Sequence, residues 1–301
     1  MYDIVIIGAG VAGLTAGIYA KRANKTVLIL EKKSYGGQII NAPNIENYPG
    51  EEHISGFDLA TKLYNQNKSL GVDIFYEEAK NVKKENKEFI IETNKNTYRS
   101  KALIIATGTN NRKMNLTNED NLIGKGISYC ATCDGNFYKN KEVAVVGGGN
   151  TALEDALYLS NICKKVYLIH RRDKFRADSK TVEELSKKDN IEVILNSNVT
   201  NLIGNDHLEM IEVTSNDKKN NLEVAGLFIA IGQIPESELL NGKIEIDESN
   251  YIISNENCHT NIEGAFVAGD VRQKNLRQLV TATSDGAIAA TEAINYINKD
   301  F

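Results

Sequence analysis

Apolar residues in this chain come in blocks whose spacing changes from strand-like to helix-like and back. From residue 2 the text YDIVIIGAGVAGLTAGIYAKRANKTVLILEKK opens with a β-branched run, breaks at Gly8, continues with helical spacing, and closes on a second run, VLIL, ahead of Glu31. Apolar runs without polar alternation predict strands covered on both faces, and a helix between two of them predicts a βαβ unit. The plan returns after Lys141 as EVAVVGGGNTALEDALYLSNICKKVYLIHRRDKF. Each unit is followed by similar text. VDIFYEEAKNV, EFIIET and YRSKALIIATG read as short strands closing on Gly108, and IEVILNSNVTNL, LEMIEVTS and LEVAGLFIAIG as short strands closing on Gly232.

After about residue 243 no third unit begins. The chain instead offers TNIEGAFVAGDV, a strand running into Gly269 and Asp270, and then RQLVTATSDGAIAATEAINYI, a helix opened by Thr and Ser that is expected to rejoin the first unit. The fold class expected is therefore α/β, with two Rossmann-like, three-layer nucleotide-binding domains, each with an attached β-meander, the second inserted in the first. The polar stretches TNNRKMNLTNED and GQIPESELLNGK mark the crossings. They give residues 1–112 and 243–301 as a split first domain and 113–242 as the insertion.

Composition narrows the function classes. With 301 residues, 25% charged and 42% hydrophobic, the chain has the make-up of a water-soluble globular protein of two domains. A net charge of −5 argues against a broad basic face for nucleic acid or an anionic membrane, so any anion site is local. The apolar N-terminal run lacks the basic start of a signal peptide, and there are only four cysteines. The expected compartment is the reducing cytoplasm, where structural disulfides are improbable.

Both units carry a glycine loop between strand and helix. In the first, Gly8-x-Gly10-x-x-Gly13 supplies the tight turn, the open backbone for a pyrophosphate and the close helix contact of a dinucleotide site, and Glu31 is placed to accept hydrogen bonds from a ribose. In the second, Gly147-x-Gly149-x-x-Ala152 is followed at the corresponding distance by His170, Arg171 and Arg172, and then Arg176. Guanidinium groups where a carboxylate would stand suit a ribose 2′-phosphate, which makes the second site NADP-type; the plain alternative is a solvated charged loop.

Between the first crossing and the second loop lies SYCATCDGNFY, with Cys130 and Cys133 three apart and Asp134 directly after. A zinc site would need two more suitably spaced ligands, and neither Cys163, Cys258 nor the histidines supply a second pair, so no metal is expected. A buried bystander pair is a second possibility. The third is a reversible dithiol and disulfide, for which Asp134 is a candidate proton donor and acceptor, helix capping being its plainer role. A nicotinamide delivers hydride and a disulfide accepts electrons by sulfur chemistry, so the simplest carrier between them is a flavin, which assigns FAD to the first loop.

In this order, GAGVAG, GGQIINAPNIENYPG, CATCDG, GGGNTALEDALYLS, HRRDKFRA and AFVAGDVRQKNLRQ resemble the low-molecular-weight bacterial thioredoxin reductases, from about residue 3 to residue 297. The resemblance implies a homodimer that passes electrons from NADPH through FAD and the Cys130/Cys133 disulfide to oxidised thioredoxin, the second domain rotating between half-reactions. It implies FAD contacts at Gly10, Glu31, Gly37, Gln38, Asn47, Asp270, Arg277 and Gln278, and NADPH contacts at Gly149, Asn150, Thr151, His170, Arg171, Arg172 and Arg176. It also implies that Cys133 lies nearer the flavin, that Cys130 attacks thioredoxin, and that Asp134 is acid and base. Two alternatives remain open on sequence. One is a related flavoprotein reductase of a peroxidase component or another CxxC protein; the other is a flavin- or zinc-binding regulatory protein without turnover.

Overall fold

In the computed structural model, which describes residues 1–42, 44–216, 218–240 and 242–301, the chain divides into two units. Met1–Asn110 with Ile234–Phe301 form the first, and Asn111–Gln233 the second. The crossing strands Thr109–Asn111 and Gln233–Pro235 pair with each other, and the return crossing falls after Gln233, within GQIPESELLNGK but ahead of the expected boundary at residue 243.

The first unit is built on a parallel array of Asp73–Tyr76, Val27–Glu31, Tyr2–Ile7, Thr97–Ile105 and Ala265–Val267. Val27–Glu31 is buried along its whole length and Ile4 to Ile7 are buried beside it, as expected of apolar runs covered on both faces. Ile7 pairs with Leu30 on one side and Ile105 on the other, so the strands end level, with Gly8, Glu31 and Ala106 at one edge. The text VDIFYEEAKNV makes two strands rather than one. Asp73–Tyr76 joins the parallel array, the chain turns at Glu77 and Glu78, and Ala79–Glu85 pairs antiparallel with Glu88–Thr93, which pairs in turn with Thr97–Ile105.

The second unit repeats the plan with different wiring. Its sheet runs Ile191–Ile194, Lys165–Ile169, Glu142–Gly147, Gly226–Ala230 and Ile127–Ser128, every pairing parallel. The text IEVILNSNVTNL is again divided, with Asn196 at φ 51°, and its second half opens a separate three-stranded antiparallel sheet. The strand Ile127–Ser128, immediately before the cysteine pair, had no sequence signal of its own.

The C-terminal helix Leu279–Asp300 returns to the first unit, with Gln278 rather than a Thr or Ser as its N-cap. It lies against the glycine-loop helix Val11–Arg22 through Gly286, Ala289, Ala290 and Ala293. A methyl group at Gly286 would overlap the carbonyl oxygen of Ala12. Small residues thus let two helix backbones approach, and the price is intolerance of volume. Gly286→Val is expected to destabilise the protein by about 1–3 kcal/mol, read as a lower midpoint in urea unfolding; an unchanged midpoint would show that the two helices can separate freely.

Candidate functional site

Cys130 and Cys133 are joined as a disulfide across one short helical turn, Ala131–Asp134, with their Cα atoms 5.3 Å apart. Both are half-buried, and the Cys133 amide donates to Cys130 Sγ at 3.2 Å. The turn is held by a residue that sequence reasoning missed. Ser128 Oγ accepts from the Cys130 amide at 3.0 Å and donates to Asp134 Oδ2 at 2.6 Å. A serine two places before a half-buried amide is a local turn former, and that was the available signal.

Burial pushes the Asp134 carboxyl above the usual aspartate value, and the Ser128 hydroxyl draws it part of the way back. The carboxyl that follows Cys133 is therefore shifted towards its protonated form. A second raised carboxyl, Asp155, stands on the helix Asn150–Ser160, pushed up to about 7 by burial and then by Glu154.

The first glycine loop has the features of an anion cradle. The helix Val11–Arg22 starts at Gly10 without a side-chain cap, leaving its first amides free for a ligand, and nothing lies within 4 Å of the position a Gly10 Cβ would take. Gly8, at φ 107°, and Gly13 have no such room, since a Cβ on either would overlap a backbone carbonyl oxygen. Glu31 is buried at the strand end, and its oxygens accept from the Ala9 and Lys33 amides, each at 2.8 Å. This fixes the carboxylate while leaving it acceptor capacity.

The other residues expected around this loop belong to the same unit. Gly36 donates its amide to Ala9, which brings Gly37 beside Gly10; Gln38 Nε2 donates to the carbonyl and hydroxyl of Thr109. Asn47 Nδ2 donates to Gln278 Oε1 at 3.2 Å. The Arg277 guanidinium stacks 3.8 Å over the Tyr251 ring and donates to the Asp270 carbonyl. Asp270 follows the strand Ala265–Val267, and its buried Oδ1 has no hydrogen-bond partner, its nearest cation being Lys274 Nζ at 3.6 Å. An open glycine backbone, uncapped helix amides and a buried carboxylate with an ammonium 3.6 Å away fit a dinucleotide with a hydroxylated chain.

The second loop is built alike. The helix Asn150–Ser160 starts at Gly149 without a side-chain cap hydrogen bond, and the HRRDKFR segment folds back upon the loop through the Arg176 amide, which donates to the Gly148 carbonyl at 2.7 Å. Arg171, Arg172, Arg176 and Thr151 are exposed. His170 differs from them. It is buried against Gly148 and stacked on Phe175, Nε2 lies 3.1 Å from the Lys174 carbonyl, and burial lowers its pKa. Its ring is a neutral floor to the loop rather than a cation. Asn150 is engaged with Asp178 through reciprocal hydrogen bonds of 2.8 and 2.9 Å. Guanidinium groups gathered beside an uncapped helix start fit a phosphorylated nucleotide.

Residues 2–286 match the profile of the family described as pyridine nucleotide-disulphide oxidoreductase. The chain belongs to this family. Among curated relatives, a thioredoxin reductase of Mycoplasma genitalium is 44% identical over 96% of this chain and 93% of its own. A 34.2 kDa protein in the rubredoxin operon of Clostridium pasteurianum is 43% identical over 98% and 97%. Among solved structures, the thioredoxin reductase from Streptococcus pyogenes superposes with a TM-score of 0.95 at 37% identity, covering 99% of both chains. The family's description joins a pyridine nucleotide and a disulphide, and this chain carries a disulfide at Cys130–Cys133.

The sign for Asp134 follows from its raised pKa. Its contribution to stability is complete below the ordinary aspartate value and is lost as pH rises through the folded value. Ser128→Ala removes the donor that favours the ionised form, so the Asp134 titration followed by carboxyl 13C NMR is expected to move to higher pH; a midpoint moving down would remove Ser128 from this role.

Proposed function

We propose that the protein is a thioredoxin reductase, a flavoprotein that transfers electrons from NADPH through FAD and the Cys130/Cys133 disulfide to oxidised thioredoxin. The observation that carries this reading is a half-buried disulfide, followed by a buried carboxyl of raised pKa, in the same unit as an arginine-flanked glycine loop, in a chain that has a second, carboxylate-ended glycine loop. Full-length relatives named thioredoxin reductase support it.

In the first unit, Gly8, Gly10 and Gly13 would admit the FAD pyrophosphate, Glu31 would hold a ribose, and Gly37, Gln38, Asn47, Asp270, Arg277 and Gln278 would line the remainder. In the second, Gly147, Gly149, Asn150 and Thr151 would hold the NADPH phosphates at the helix start, with Arg171, Arg172 and Arg176 on the 2′-phosphate and His170 packing beneath the loop. When bound, FAD supplies the conversion of two-electron hydride chemistry into thiolate and disulfide chemistry. Two electrons and two protons open the Cys130–Cys133 bond, and Asp134 holds a proton that a nascent thiolate takes up or gives back. Cys130 then attacks one sulfur of the thioredoxin disulfide, the mixed disulfide forms, and Cys133 displaces reduced thioredoxin as the Cys130–Cys133 bond closes.

The nicotinamide loop and the redox disulfide share one unit, while the flavin loop belongs to the other. The chain passes between them only at two crossings. Rotation of the second unit between half-reactions follows, since each donor and acceptor must reach the flavin in turn. We also place the protein in the cytoplasm as a homodimer. Among the described residues no helix is long and apolar enough to cross a membrane.

Two experiments test this. Anaerobic NADPH is expected to bleach the flavin of the wild type and of Cys130→Ser, but thioredoxin thiols are expected to fall at least about 10³-fold in the variant. Bleaching without thiols in the wild type would point to another disulfide substrate. Arg171→Ala and Arg172→Ala are each expected to raise KM for NADPH roughly 10-fold through the loss of a charge-assisted phosphate contact, leaving KM for NADH unchanged; equal effects on both nucleotides would remove the 2′-phosphate assignment.

A further inference from the structure

Behind the strand Ala265–Val267 lies a buried cluster of charges that the electron relay does not use. Asp285, on the C-terminal helix, accepts from the Gly269 amide at 3.1 Å, from Arg272 Nη1 at 3.2 Å and from Lys274 Nζ at 2.9 Å. The Lys274 ammonium also lies 3.3 Å from Thr281 Oγ1 and 3.6 Å from Asp270 Oδ1. The Lys274 and Asp285 side chains are each 8% exposed, so this lysine is shared between two carboxylates with little water to screen it.

We propose that Lys274 is a positioning residue for flavin binding, holding Asp270 ionised and oriented as an acceptor for the hydroxyls of the polyol chain. The proposal rests on the flavin reading of the first loop and goes beyond it in assigning a residue that need not touch the ligand. Asp270 is faced by Lys274 and Arg277, which favour its charge, and by Asp285, which opposes it. Arg277 is committed to the Tyr251 ring and to the Asp270 carbonyl, which leaves Lys274 as the cation nearest the free oxygen. Burial holds the Asp270 carboxyl above the usual aspartate value, and Lys274 and then Arg277 keep it lower than burial alone would set it. Without the ammonium the carboxyl holds its proton to higher pH and loses the stronger, charge-assisted form of its hydrogen bond to a hydroxyl.

The test is FAD rebinding to protein stripped of its flavin, followed by quenching of FAD fluorescence between pH 6 and pH 9. Wild type is expected to show a nearly flat dissociation constant. Lys274→Met is expected to bind roughly 10-fold more weakly at pH 6 and to recover as pH rises, because binding selects the ionised carboxyl, with a slope limited to about tenfold per pH unit. Lys274→Arg is expected to restore the flat profile. Asp285→Asn removes the opposing charge and frees Lys274 for Asp270, so its profile is expected to stay flat even where overall affinity falls. A Lys274→Met profile parallel to wild type, or the same slope in Asp285→Asn, would overturn the proposal by showing a merely structural cluster. A wild-type chain that takes up no FAD at any pH would overturn the flavin reading itself.

Discussion

The parallel register that brings the strands of each unit to a common end is the constraint on which everything else rests. In the first unit Ile7 sits between Leu30 and Ile105, and in the second Val146 sits between Ile169 and Ile229. A slip of one residue would turn every apolar side chain to the other face of its sheet. It would also separate the glycine loop from the strand end that carries its partner, Glu31 in one unit and His170 in the other. The register is held because these strands are covered on both faces.

On that shared frame the two units differ chiefly in charge. The first ends its second strand in a carboxylate pinned by two amides; the second ends it in a buried imidazole followed by exposed guanidinium groups. One geometry therefore presents opposite potentials at equivalent strand ends, the difference that separates a ribose-hydroxyl site from a ribose-phosphate site in folds of this kind. The His170 ring fills the space beneath Gly148, so the arginines stand on a rigid floor while remaining open to solvent.

Charge is also handled in opposite ways near the reacting groups. Asp134 is buried with one hydroxyl donor, Ser128, which offsets part of the upward push of burial. Asp270 is buried with two cations opposing that tendency, an arrangement suited to accepting hydrogen bonds. Burial disfavours the charged carboxylate in both places, and groups perturbed in this way gather at functional sites.

Both glycine loops, Glu31, the arginine run and the cysteine pair were legible in the sequence because each rests on local spacing: a strand, a turn, a helix start and a strand end within about 30 residues. The α/β class followed from the repeated plan. Tertiary structure decided what depends on distant partners. VDIFYEEAKNV divides because Ile74 pairs with Ile29 at one end of the sheet and Val82 with Ile91 at the other, and Ile127–Ser128 is a strand only because Leu227 and Phe228 lie beside it. The Ser128 contact with Asp134, the burial of His170, and the joining of Asp270 to Asp285 through Lys274 were likewise hidden. Local sequence sets backbone propensity and the chemistry on offer, whereas ionisation and hydrogen-bond partners are set by what desolvates each group, and that comes from the far ends of the chain.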